Sequence, residues 1–427
     1  MTERLLQYIW QFQHFNKQEL TLQNGDSFRV IHPGLYNTDQ GPDFLEAKIR
    51  IGNTLWAGHV ELHIKTSDWV KHAHQTDRNY DNVILHVVWQ HDQDIPGNNI
   101  PVFTLQERVS KFLLQKYSDL MNSSSFIPCG HQSANVSGII WLNWKERLLV
   151  ERLQRKSATI FTYLQQNNYH WEETFWWLLA RNFGIRVNAE SFEALARSLP
   201  VTILARHKNQ VHQLEALLLG QAGLLEEDFE DSYPQMLKKE YLFLKHKYNL
   251  QPVPQAVHFL RMRPSAFPTI RLAQLAMLVN NSSHLFSTIK ETTSIEKIKK
   301  MLSVTANDFW HYHYTFKDVS AFKPKNTGEQ MINNIIINTI VPVIFSYGYL
   351  YNEQPYKDRA INWMRDVDAE INSITSGFTG FGIENRNAFD SQALIELKTG
   401  YCDKRKCLDC SIGNALLKKS VTPVNAI

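Results

Sequence analysis

The chain has 427 residues, 43% hydrophobic and 20% charged, with a formal net charge of +3. This is the balance of a folded chain, long enough for two or three domains and a large core without disulfide staples, and it excludes a disordered or fibrous polypeptide. So mild a positive charge permits a nucleic-acid partner without arguing for one.

Leu5, Leu6, Ile9 and Trp10 fall at helical spacing within residues 2–14. The same stretch lacks the basic start, apolar middle and small-residue cleavage site of a signal peptide, so a cytoplasmic location is expected. Asn24-Gly25-Asp26 signals a turn, and SFRVIHPG reads as a short strand ended by Pro33-Gly34. After the loop NTDQGPDF, Phe44 to Ile51 reads as a strand, Gly52-Asn53 as a hairpin turn and residues 55–65 as the partner strand. Ser67 is placed to cap a helix running towards Tyr80. NVILHVVW (82–89) is a β-branched apolar run, expected to be a buried strand. The order helix, three strands, helix, strand describes an α/β domain over residues 1–120. MNSSSFIPCGHQSANVSG (121–138) is the boundary candidate, and residues 138–427 carry helical periodicity almost throughout. The fold class expected is therefore α/β plus α. MINNIIINTIVPVIFSYGYLY is broken by Asn333, Asn334, Asn338 and Pro342 and is expected to be a buried helix, with no membrane association.

GHVELHIK carries the chemistry. His59, Glu61, His63 and Lys65 alternate with Val60, Leu62 and Ile64, so in a strand one face is apolar and the other is reactive. Hydrolysing a phosphodiester requires a hard cation held by oxygen ligands beside the phosphate, with a third group to manage water. Asp43, just before the first hairpin strand, and Glu61, in the second, are the candidate ligands, for Mg²⁺ or Mn²⁺. His63 shares the face of Glu61, and Lys65 continues it. Alternation alone is also what any half-exposed strand shows.

Pro42-Asp43 followed by Glu61-Leu62-His63 resembles the PD-(D/E)xK nuclease-like superfamily. The resemblance covers roughly residues 1–110 and implies a restriction-endonuclease-like core. It implies that Asp43 and Glu61 bind the cation and that the third residue positions water, with DNA or RNA as partner. His63 stands where that superfamily has Lys, and Lys65 is the nearest alternative. The implied activity is a metal-dependent nuclease. His63 in the third position also admits a non-catalytic nucleic-acid or protein-binding module on a nuclease-like scaffold. The stretches GPDF, GHVELH, SDWVKHAH, YDNVILHVVW and YCDKRKCLDCSIG are further similar to an uncharacterised bacterial family of unknown function, a likeness that supplies no activity.

His59, Glu61, His63, His72, His74 and His86 also offer an imidazole-rich set for Zn²⁺, Mn²⁺ or Fe²⁺, the mark of a different metal hydrolase. Cys402, Cys407 and Cys410 have C-x₄-C-x₂-C spacing, and Cys129 is the remaining cysteine. Four thiolates suit Zn²⁺ or an iron–sulfur cluster; buried free thiols are the plainer alternative.

Overall fold

The computed structural model describes residues 1–97, 99–260, 262–282 and 284–418. It begins with helix α1 (Glu3–Gln11), started by the Thr2 hydroxyl, which accepts the Leu5 N–H at 3.3 Å. A curled six-stranded sheet follows: β1 (Phe28–His32), β2 (Leu35–Tyr36), β3 (Phe44–Ile51), β4 (Thr54–Lys65), β5 (Val83–Gln90) and β6 (Val102–Thr104). Its order is β1-β3-β4-β5-β6, with β2 beside β3. β1, β3 and β4 run antiparallel, whereas β4, β5 and β6 are parallel.

The alternation in β4 works as a structural divider. Val60 and Leu62 are buried in the core with Leu6, Ile9, Trp10, Phe44, Leu85 and Val87. Glu61 and His63 turn to the opposite face, and that face is covered as well: they are only 6% and 1% exposed. The cover is the connection from β4 to β5. The sequence suggests one helix there from Ser67 to Tyr80. Instead a single helical turn, α2 (Asp68–Lys71), is followed by 3₁₀ turns at His74–Thr76 and Arg78–Tyr80. The reason is local. The Ser67 hydroxyl donates to Asp92 at 2.7 Å and makes no cap bond, while Ala73, left-handed at φ 58°, breaks the helix.

Two bulges shape the hairpin. One lies in β3 between Phe44 and Ala47, where Glu46 has φ 57°; the other lies between His59 and Val60 in the β4–β5 pairing. Gly58 allows the close approach of β4 to the start of β5, because a Cβ there would stand 2.5 Å from the Asn82 carbonyl oxygen.

The chain divides into two units. One comprises Met1–Trp144, Gly377–Ile383 and the C-terminal segment from Leu397; the other comprises Lys145–Ser376 and Glu384–Glu396. The stretch 121–138 therefore lies inside the first unit. Cys402, Cys407 and Cys410 belong with the sheet, not with the helical region to which the sequence reading assigned them, because Leu408 and Leu417 insert into the sheet's core.

The second unit is mostly helical. Phe175, Phe183, Leu217, Leu275, Ile335 and Ile344 lie in one core. Glu329–Leu350 is long and apolar enough to cross a membrane by composition alone, yet 78% of its apolar window is buried inside this unit. The stretch contains a π-helical turn, Ile336–Ile340, just before Pro342. Proline lacks an N–H and crowds the carbonyl four residues back, and a wider turn accommodates both.

Candidate metal centre

β4 supplies Glu61 and His63, β5 supplies His86 opposite Glu61, and the β4–β5 connection supplies His72 and His74. The left-handed Ala73 between the last two permits both imidazoles to turn towards β4. Glu61 Oε1 lies 3.5 Å from His63 Nε2 and 3.4 Å from His74 Nε2. His63 Nε2 lies 3.0 Å from His72 Nδ1. Among the described residues, His63, His72 and His74 are the set whose potential ligand atoms all lie within 4.8 Å of one another. Donor atoms about 2.0–2.1 Å from a tetrahedral ion stand about 3.4 Å apart, so these separations suit one small cation.

The surroundings fix the donors. His63 Nδ1 is 2.9 Å from His86 Nε2. With the proton on Nδ1, His63 donates to His86 and turns its Nε2 lone pair to His72 Nδ1 and the more distant Glu61, the arrangement that orients metal-binding histidines. The Trp69 ring meets His63 edge-on with centroids 6.4 Å apart, and Tyr80 stacks on His74 at 3.8 Å. His74 Nε2 is buried with no hydrogen-bond partner. A buried nitrogen without a partner is costly unless something else occupies its lone pair.

Electrostatics favours the neutral, metal-ready forms. Burial, then the neighbouring His86, His74 and His72, hold the His63 imidazole down to about 2. Burial and the adjacent His74 bring His86 down to about 3, and burial and His72 lower His74. The Glu61 contacts to His63 and His74 are therefore not ion pairs. Burial, then Asp43, raises the Glu61 carboxyl well above the usual range. Burial raises Asp43 too, against the Leu62 N–H and the Gln7 amide that favour its charge. Nearby negative charge destabilises both carboxylates, so a cation would favour their ionised forms.

The structure brings Asp43 and Glu61 together, with different hydrogen-bond partners. Asp43 N–H donates to Glu61 Oε2 at 3.0 Å. Asp43 Oδ2 accepts from Leu62 N–H at 3.1 Å, and Oδ1 from Gln7 Nε2 at 2.8 Å. Asp43 thus ties β3 to β4 and orients Glu61, whose Oε1 is directed towards the histidines. Lys65 is exposed, and its charge acts on Asp92. His59 Nδ1 is engaged by the Glu46 N–H at 3.4 Å. Gln7, Trp69, Ala73 and Tyr80 escaped the sequence reading; a left-handed alanine and a ring stack leave no mark in residue spacing.

Residues 3–373 match the family described as Protein of unknown function (DUF2851). The chain belongs to this family. The matched residues end before Cys402, so the stretch YCDKRKCLDCSIG lies outside them. No curated protein and no solved structure matches the chain.

Proposed function

We propose that the protein is a divalent-metal-dependent hydrolase acting on the phosphodiester bonds of DNA or RNA, with an imidazole-rich centre. The observation that carries this reading is the trio His63, His72 and His74, whose potential ligand atoms lie within 4.8 Å of one another, with Glu61 Oε1 3.5 Å from His63 Nε2 and 3.4 Å from His74 Nε2, the latter otherwise unpartnered. Imidazole with carboxylate favours Zn²⁺, Mn²⁺ or Fe²⁺ over Mg²⁺. The nucleic-acid substrate class is supported by the position of Asp43, immediately before β3, and of Glu61, in β4, on an antiparallel pair whose second strand is followed by a parallel neighbour. That is the setting the resemblance to the PD-(D/E)xK superfamily implies.

A bound cation would supply Lewis acidity, lowering the pKa of water and offsetting charge on a phosphate. The chain's residues do the rest. Glu61, His63 and His74 hold the ion from the buried side. His72, the exposed member of the trio, marks the side open to solvent. His86 fixes the His63 tautomer, and Asp43 with Gln7 fixes Glu61.

His63→Lys and Glu61→Gln test this reading. Glu61→Gln keeps shape and removes ligand charge, so both bound metal and cleavage should fall by more than tenfold. An ammonium has no lone pair, so His63→Lys should also lose metal and activity. Retained metal-dependent cleavage in His63→Lys would instead favour a water-positioning role for residue 63 and ligation by Asp43 and Glu61. Nucleic-acid binding without cleavage under any of these metals would turn the reading into a binding module.

A further inference from the structure

The four cysteines lie apart from this chemistry, yet they come together. Cys129 immediately precedes the short helix Gly130–Ser133. Cys402 ends the π-helical turn Leu397–Cys402, Cys407 opens the 3₁₀ turn Cys407–Asp409, and Cys410 precedes the helix Ser411–Lys418. That helix packs on both the 3₁₀ turn and Gly130–Ser133, and the π-helical turn packs on the 3₁₀ turn. Cys407 belongs to the core of the sheet-bearing unit, with Cys129 packed against it. Gly413 makes the approach possible, because a Cβ there would stand 2.2 Å from the Cys407 carbonyl oxygen.

We propose that Cys129, Cys402, Cys407 and Cys410 form a four-thiolate metal centre that fastens the C-terminal segment to the sheet-bearing unit. All four are free, and they are the chain's only cysteines. Each of the six possible pairs is close enough for one sulfur's charge to act on the other. Burial raises the Cys410 thiol, against the nearby Gly413 and Ile412 N–H groups and the Trp144 side chain. Lys398 and Arg405 supply positive charge beside Cys402 and Cys407. Arg405 also donates to the Leu120 and Ser123 carbonyls, holding the loop to the end of the helix Lys111–Asn122. With no metal, four thiolates this close would repel one another; a soft cation removes that cost.

Zinc and an iron–sulfur cluster share this ligand chemistry. Among the described residues, no three of the sulfurs meet the 4.8 Å spacing of the histidine trio. Zinc holds its thiolates about 4 Å apart, whereas a cluster attaches them to separate irons, so metal analysis separates the two.

The test is zinc, iron and acid-labile sulfide content, with visible absorbance, of the anaerobically purified full chain. It is done in a Glu61→Gln, His74→Ala background, so that the histidine centre contributes no metal. Iron with sulfide and a visible band, lost in both Cys129→Ser and Cys407→Ser, supports the proposal with a cluster in place. One zinc per chain, lost in the same variants, supports it with a single ion. If the serine variants do not fold, alkylation of the folded starting protein decides. Four thiols protected until a chelator is added support the centre. Thiols that react without chelator, in a protein holding no metal even after anaerobic reconstitution, would overturn it. Neither result bears on the histidine centre.

Discussion

Glu215 shows how one buried group sets a pH response outside the candidate centre. It is fully buried and accepts hydrogen bonds from the Tyr233 hydroxyl and from the Trp310 indole, the latter at 3.2 Å. Burial outweighs both donors and pushes its carboxyl up to about 7. The folded chain therefore keeps a proton that the unfolded chain releases at about 4.5. This stabilisation is complete below pH 4.5 and is lost as pH rises through 7, on the order of 3 kcal/mol in all. Glu215→Gln should flatten stability over that window in denaturant titrations run from pH 4.5 to 8; an unchanged slope would place the titration elsewhere. Trp310 is 0% exposed. Nothing in the sequence marks Glu215, because its partners lie 18 and 95 residues away.

At the scale of elements, the alternation in GHVELHIK separated the two faces of β4 correctly from Val60 onwards. His59 is drawn instead to the bulge in β3, where the Glu46 N–H engages its Nδ1, and sequence carries no sign of that bulge. The β4–β5 connection was harder still. Its four-residue helix and two 3₁₀ turns depend on Ser67 bonding to Asp92, a partner 25 residues away. Two substitutions probe how these elements hold the centre. Ala73→Gly relieves a left-handed alanine and should raise stability by about 0.5–1 kcal/mol. It should also weaken metal binding, since the turn presenting His72 and His74 gains freedom. Gly58→Ala drives a methyl into the Asn82 carbonyl and should cost about 1–3 kcal/mol by chemical denaturation. Wild-type stability in Gly58→Ala would mean that β4 and β5 can part without cost.

For the whole molecule, the sequence conveyed an α/β region followed by helices. It did not convey that the chain returns to its first unit, because a C-terminal segment reveals its packing partner only through contacts. Leu408 and Leu417 are that contact. Truncation after Glu396 should therefore destabilise the sheet-bearing unit and spare the helical one. Hydrogen exchange should show amides of β3, β4 and β5 losing protection first, whereas uniform loss in both units would contradict the division. Hydrolysis at the imidazole-rich centre is open to direct test. The most direct measurement is cleavage of labelled single- and double-stranded DNA and RNA with Mn²⁺, Zn²⁺ or Fe²⁺, comparing wild type with His74→Ala. Metal-dependent cleavage by the wild type is expected, reduced at least a hundredfold in His74→Ala, whose overall fold should be intact. Cleavage by His74→Ala at the wild-type rate, or no cleavage by the wild type with any of the three metals, would contradict hydrolysis at this centre.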